Sequence, residues 1–197
     1  MKILTVSDRV EQVFYQNRGS PRFQNLDLIL ACGDLPPEYL TFLREKLDAP
    51  LFYIRGNHDL RLRDDPPAGC VDLDGRVVKV RDLKIMGLEG SRWYNGGPFQ
   101  YTEGQMRLKA WRLYPRLWLG GVDIIITHAP PRFMGDAEDP CHRGFRVFRK
   151  LIENFAPRFF IHGHIHAHFN NDSDRITDIN RTRLINAYGH YLLEIPS

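Results

Sequence analysis

The sequence predicts an α/β fold, and three observations carry that prediction. Strand-length apolar runs without polar alternation, such as Leu28-Ile29-Leu30-Ala31 and Ile124-Ile125-Ile126, suit strands buried on both faces. Helical patterns lie between such runs: Leu40, Leu43 and Leu47 share one face, and Met106, Ala110, Leu113, Tyr114 and Leu117 share another. Polar residues able to do chemistry stand at the ends of the apolar runs rather than within them. With 197 residues, 43% of them hydrophobic, the chain reads as one domain over residues 1–197 with a full core.

Taken in order, the first strand is expected over residues 2–6, ending at Ser7-Asp8, an acidic residue met too early for a signal peptide. A short helix or loop around residues 11–16 is closed by Gly19-Ser20-Pro21. The second strand, residues 27–32, ends at Gly33-Asp34, and Pro36-Pro37 opens a helix to about Leu47. The third strand, residues 50–54, runs into Gly56-Asn57-His58-Asp59. Residues 61–69 read as loop, followed by short strands over 70–73, 76–80 and 83–88, with Asp74-Gly75 a hairpin signal between the first two. Residues 89–101 read as a glycine-rich loop and residues 103–118 as one long helix. A strand over 122–127 ends at His128, and a helix follows over 144–154. The strand over 158–161 leads into His162-Gly163-His164-Ile165-His166, and strands around 175–179, 183–187 and 190–195 complete the chain.

Composition narrows the setting. No apolar run reaches transmembrane length, and no membrane partner is expected. Three cysteines, odd in number and without metal-site spacing, point to reduced thiols in a cytoplasmic protein. The net charge is only +3, but arginine outnumbers lysine 21 to 6, and arginine is the better phosphate fork. No aromatic-basic motif supports specific nucleic-acid binding.

Five strand ends carry Asp8, Asp34, Asn57-His58-Asp59, His128 and His164 with His166. In an α/β fold, ligands gather outside the carboxyl ends of the strands, so these groups are placed to converge. Singly, each has an ordinary explanation: a carboxylate capping a helix, a satisfied loop histidine. Together, carboxylates, an amide and imidazoles without a thiolate make a site for Mn, Fe or Zn. Six side chains exceed the needs of one ion. Two divalent ions sharing a bridging carboxylate would use them all, with a hydroxide between them and a phosphate clamped for attack. The general acid should then be a histidine off the metals. His58 fits, with Asp59 orienting its imidazole. Gly33, Gly56 and Gly163 precede ligand positions, where backbone must turn or crowd.

In this order the motifs resemble the calcineurin-like metallophosphoesterase superfamily, and its small single-domain prokaryotic members in particular. The family pattern Asp-x-His, Gly-Asp, Gly-Asn-His-(Asp/Glu), His and Gly-His-x-His corresponds to Asp8-Arg9-Val10, Gly33-Asp34, Gly56-Asn57-His58-Asp59, His128 and Gly163-His164-Ile165-His166. The resemblance implies a four-layer sandwich of two mixed β-sheets flanked by helices. It also implies that Asp34 bridges two metals, that Asn57, His128 and His164 complete the second site, and that Asp8 and His166 belong to the first. By the same resemblance His58 meets the substrate phosphate and the leaving oxygen. One position departs: Val10 stands where the family has histidine, so the first site is expected to be weak or empty. Leu35-Pro36-Pro37-Glu38-Tyr39 replaces the Asp-Arg-Gly of protein phosphatases, which argues against a phosphoprotein substrate. A phosphodiesterase acting on a small phosphoester or nucleotide is the preferred reading, with a phosphomonoesterase or nucleotide pyrophosphatase as alternatives. A catalytically weak interaction scaffold is the alternative of another class. Arg92, Asn95, Arg132 and His142 are the residues expected to line the substrate cleft.

Overall fold

The computed structural model describes residues 1–16 and 21–196. In chain order the first half forms β1 (Lys2–Ser7), α1 (Val13–Gln16), β2 (Leu28–Ala31), α2 (Pro37–Lys46), β3 (Leu51–Tyr53), α3 (Arg61–Asp64), β4 (Val71–Asp72), β5 (Arg76–Val80) and β6 (Leu83–Leu88). The second half forms β7 (Ser91–Arg92), β8 (Gln100–Tyr101), α4 (Glu103–Trp111), α5 (Tyr114–Gly120), β9 (Ile124–Thr127), α6 (Arg146–Phe155), β10 (Phe159–His162), β11 (Ile176–Ile179), β12 (Thr182–Asn186) and β13 (Gly189–Glu194).

The strands build two mixed sheets. One runs β13-β1-β2-β3-β4, with β1 through β4 parallel and β13 antiparallel to β1. The other runs β11-β12-β10-β9-β6-β5, with β12, β10, β9 and β6 parallel. Side-chain alternation explains how they stack. Leu28 and Leu30 of β2 enter a core shared with Ile124 and Ile126 of β9 and Ile161 of β10. Ile29 and Ala31 of β2 turn the other way, onto Tyr39, Leu40 and Leu43 of α2. Ile125 and Phe160 likewise turn outward, onto α4 and α6 through Met106, Ala110, Phe148 and Leu151. The result is helix, sheet, sheet, helix, the four-layer sandwich expected. Both faces of each central strand are apolar, so the runs show no alternation in sequence.

Several local expectations need correction. Asp74-Gly75 is no hairpin: β4 pairs with β3, whereas β5 pairs with β6 in the other sheet, so these two residues cross between sheets. The antiparallel turn lies instead at Arg81-Asp82, where Arg81 takes a positive φ of 52°. Residues 61–69 contain the short helix α3, and residues 89–101 contain the β7–β8 ribbon. The long helix over 103–118 is two helices. Pro115 lacks the N–H that would bond Trp111, and its ring crowds that turn, so the chain breaks at Arg112-Leu113 and restarts as α5. The apolar face survives the break: Met106, Ala110, Leu113 and Leu117 are all buried. Of the expected breaker Gly19-Ser20-Pro21, the first two residues lie outside the described ones; Pro21 opens a short 3-10 turn.

The crossing between sheets is held by buried charge. Lys109 of α4 bonds Asp74 at 2.9 Å and Glu89 at 3.0 Å, and Arg55 forms an ion pair with Glu89 at 2.7 Å and bonds Asp72 at 2.8 Å. Glu89 is only 5% exposed. Removing one partner of such a group leaves a poorly compensated buried charge. Lys109→Ala is therefore expected to lower unfolding free energy by about 3 kcal/mol in denaturant titration. A loss within experimental error would mean that the network adds no stability.

Candidate metal centre

The carboxyl ends of β1, β2, β3, β9 and β10 meet at one edge of the sandwich, and each delivers one or more polar side chains there. Asp8 follows β1, Asp34 follows β2, Asn57 and His58 follow β3, His128 follows β9, and His164 and His166 follow β10. Asp8, Asp34 and His164 take φ of 62°, 56° and 65°, a left-handed conformation that L side chains adopt only when the surroundings hold it. Close approach explains the glycines. A Cβ on Gly56 would lie 2.0 Å from Asp34 Oδ1, and one on Gly163 would lie 1.9 Å from Ser7 Oγ.

Asp34, His128 and His164 offer ligand atoms that all lie within 4.8 Å of one another. His128 Nε2 is 3.3 Å from Asp34 Oδ2, 3.2 Å from Asn57 Oδ1 and 3.1 Å from His164 Nδ1. Each ring is set by a carbonyl on its far side: His128 Nδ1 donates to Cys32 O at 2.8 Å, and His164 Nε2 donates to Cys141 O at 2.8 Å. These bonds fix the tautomers so that the free nitrogens face each other, the arrangement that presents lone pairs to a cation. The positive charge in the cluster is a proton on His128. Burial opposes a charge on the His128 ring, yet the carboxylate of Asp34 outweighs it and lifts the ring to about 10. Burial and the charge on His128 push His164 down to about 4. One proton on a fully buried imidazole thus stands where a divalent ion, with its two charges, would satisfy carboxylate, amide and both rings. The donor set fits such an ion.

Asp8 and His166 form a second pole. Asp8 Oδ1 lies 3.2 Å from His166 Nε2, and Asp8 Oδ2 accepts from the His164 amide at 2.9 Å. Burial would raise the Asp8 carboxyl, but the His166 hydrogen bond and the His128 charge hold it below its ordinary value. Val10 contributes nothing here. Its side chain is partly buried and packs against the apolar cluster containing Phe14, Leu35 and Tyr39.

His58 sits between these groups and solvent. Its backbone N–H donates to Asp34 Oδ1 at 2.9 Å, while its side chain is exposed beside a cleft of about 210 Å³ shared with Asp34, Pro36, Pro37 and Arg61. Asp59 does not orient it. Both Asp59 oxygens are taken by backbone amides, Asp34 and Gly56 at 2.7 Å and Leu35 at 3.1 Å. Burial and the Asp34 charge raise this carboxyl to about 7. Asp59 is a clamp joining the ends of β2 and β3.

Three of the four expected cleft residues are committed elsewhere. Arg92 bonds Glu103 at 2.8 Å, and Glu103 caps the start of α6 through the amides of Arg146 and Val147. Asn95 Oδ1 accepts from Gln100 at 2.6 Å and so shapes its own loop. Arg132, only 8% exposed, is held by Asp136 at 2.7 Å and Glu138 at 2.8 Å. Each is absorbed by a local carboxylate or amide that sequence reading did not pair with it. His142 does reach the site: its ring lies 5.3 Å from that of His164 and bonds Asp139 at 3.0 Å.

Sequence reading missed Tyr94. Its hydroxyl accepts from Asn57 Nδ2 at 3.2 Å, which turns Asn57 Oδ1 toward His128. The one signal was a polar aromatic ring amid glycines. Tyr94→Phe is expected to weaken metal binding about tenfold by calorimetry, the scale of an outer partner to a ligand. Unchanged affinity would show that Asn57 holds its rotamer unaided.

A family model described as calcineurin-like phosphoesterase matches residues 6–168, the span that contains every one of these strand ends. The chain belongs to that family. Metallophosphoesterase domain-containing protein 1 of Homo sapiens is 32% identical over 111 residues, covering 55% of this chain and 33% of the human protein. A UPF0046 protein of Caenorhabditis elegans is 26% identical over 193 residues, covering 84% of this chain and 63% of the relative. The matched part of the chain thus spans from one third to under two thirds of the length of these relatives. Among solved structures, a Thermus thermophilus protein superposes with a TM-score of 0.68 at 16% identity, over 95% of this chain and 89% of its own. GAP50, titled the anchor in the inner membrane complex of Plasmodium, superposes with a TM-score of 0.55 at 12% identity, over 94% of this chain and 70% of its own. At those identities the likeness is one of fold.

Proposed function

We propose that this calcineurin-like phosphoesterase is a metal-dependent phosphodiesterase of the cytoplasm that acts on a small phosphoester or nucleotide. The observation that carries the reading is the pairing of a buried oxygen and nitrogen donor cluster with an exposed imidazole tied to it. His58 reaches solvent while its own amide is bonded to Asp34. Asp34, Asn57, His128 and His164 would hold one ion, and Asp8 and His166, with Asp34 shared, would hold a second. Divalent metals there would supply Lewis-acid polarisation of the phosphoryl group and an activated water. The chain's own part is to orient these donors, through the Cys32 and Cys141 carbonyls and Tyr94, and to place the His58 imidazole where a leaving oxygen needs a proton. The three cysteines are all free thiols, in keeping with a reducing compartment. The test is hydrolysis of bis(p-nitrophenyl) phosphate with Mn²⁺ added, beside p-nitrophenyl phosphate and a nucleoside pyrophosphate. Turnover confined to the monoester or the pyrophosphate would replace the diesterase reading with one of those.

The inward packing of Val10 bears on metal number. Calorimetric titration with Mn²⁺ or Zn²⁺ is expected to show one tight equivalent and a second about 10- to 100-fold weaker, the cost of a site short of one nitrogen. Two equal, tight equivalents would overturn this. The same packing favours the second reading, an interaction scaffold, and the solved structure titled an anchor shares the fold. A scaffold has no use for an acid, so turnover that depends on His58 would exclude it.

A further inference from the structure

We propose that the cleft behind Tyr188 is an anion-binding subsite that takes a second phosphate of the substrate. The proposal rests on the phosphodiesterase reading and names what the rest of the substrate carries. The cleft holds about 290 Å³ and is lined by Arg9, Glu11, Arg22, Arg175, Tyr188 and His190, among others. It adjoins the Asp8–His166 pole. Arg9 directly follows Asp8, and the Tyr188 ring stacks on His166 with centroids 4.8 Å apart and planes at 29°. Tyr188 both stacks on His166 and lines the cleft, so a group extending from a phosphate at His166 would pass that ring to reach it.

The charges there are not balanced. Among the described residues, three guanidinium groups face two carboxylates, Glu11 and Asp172. Asp172 is bonded to Arg22 at 3.0 Å. Glu11 stands 3.5 Å from Arg9 and 3.7 Å from His190, both longer than a good hydrogen bond. Arg175 is the fixed element. Its side chain is 10% exposed, and Nη1 donates to the carbonyls of Asn186 and Tyr188 at 3.1 Å each. Among the described residues its Nε has no hydrogen-bond acceptor, and the carboxylate oxygen it pairs with, Asp172 Oδ1, is 3.7 Å away. A buried guanidinium with a donor unspent keeps a positive field in the cleft. Arg9 and Arg22 stand at the mouth with side chains 63% and 53% exposed; Arg9 lies beyond a good bond to Glu11, and Arg22 would exchange its exposed pair with Asp172 for an anion, as arginine forks do on phosphate.

The experiment compares two esters with the same scissile bond: the p-nitrophenyl ester of thymidine 5′-monophosphate, and the same compound bearing a 3′-phosphate. Binding to the metal-free protein is measured in parallel by calorimetry with thymidine 5′-monophosphate and thymidine 3′,5′-bisphosphate. The added phosphate is expected to lower KM and Kd about tenfold, the worth of one charge-assisted contact. The Arg9→Gln, Arg22→Gln double variant should erase that ratio. Arg183→Gln, in a separate cleft with Arg158 and Asp178, should keep it. Equal KM and equal Kd for the paired ligands overturn the subsite, and a ratio that survives the double variant overturns its location. If neither ester turns over, the phosphodiesterase reading fails, and the metal-free binding pair still decides the subsite.

Discussion

Replacing Asp34 with alanine is expected to cut kcat/KM on a diester by at least about 10³-fold, the rate equivalent of about 4 kcal/mol of lost Lewis-acid stabilisation. Asp34 is the single carboxylate in the buried group with His128 and His164. It does two jobs that can be separated. Oδ2 supplies the negative charge beside His128 Nε2 at 3.3 Å, and Oδ1 anchors the loop by accepting the His58 amide at 2.9 Å. Asparagine keeps the volume and an oxygen for that amide but removes the charge. Asp34→Asn should therefore leave the far-ultraviolet spectrum and the thermal midpoint near those of the parent while metal binding falls with activity. The charge balance gives a second readout. With Asp34 neutral, His128 loses the group that holds its proton against burial, so its pKa should fall from its raised value. If Asp34→Asn binds metal and turns over like the parent, Asp34 is not a ligand and the centre must be redrawn around Asp8.

The centre was legible in sequence because its members occupy the one place where an α/β sandwich gathers side chains. Apolar runs such as Leu28–Ala31 and Ile124–Ile126 are forced inward on both faces, so the first polar residues after them mark strand ends without ambiguity. The absence of alternation that identified the strands is the same fact that stacks Ile29 on α2 and Leu30 on the facing sheet. What could not be read was the direction of side chains in turns. Asn57, His58 and Asp59 are adjacent, and spacing alone suggested an acid with its orienting carboxylate. The end of β2 and the end of β3 each leave amides unbonded, and Asp59 turns inward to take three of them. Arg92 and Arg132 were plausible phosphate ligands only while Glu103, Asp136 and Glu138 had no known positions. Asp74-Gly75 illustrates a local signal true of its dihedrals and silent about its partner: Gly75 does take φ 65°, but it bridges two sheets. Pro115 is the opposite case. The break it forces was written in the sequence, and a continuous apolar face across the break concealed it.

His58→Ala is expected to lower kcat about 10²- to 10⁴-fold while metal content stays at the parent level. The structure makes this separation clean, because the bond that His58 gives to Asp34 comes from its backbone and survives loss of the ring. Leaving-group chemistry then distinguishes an acid from a group that only binds phosphate. A p-nitrophenolate ion departs readily without a proton, whereas an alkoxide departs poorly without one. An acid acts where the leaving oxygen gains charge, so the defect should be much larger for alkyl esters, including a dinucleotide, than for bis(p-nitrophenyl) phosphate. A group that only holds the phosphoryl oxygens stabilises both transition states alike, and its loss would reduce both substrates by the same factor. Equal defects would therefore remove the acid role from His58 while leaving it in the site. His142 would then be the histidine to examine, since its ring lies 5.3 Å from that of His164 and a carboxylate, Asp139, is already bonded to it. The double variant His58→Ala, His142→Ala resolves the two. If the acid is shared, the second substitution adds to the alkyl-ester defect; if His58 acts alone, it adds nothing beyond its own small binding effect.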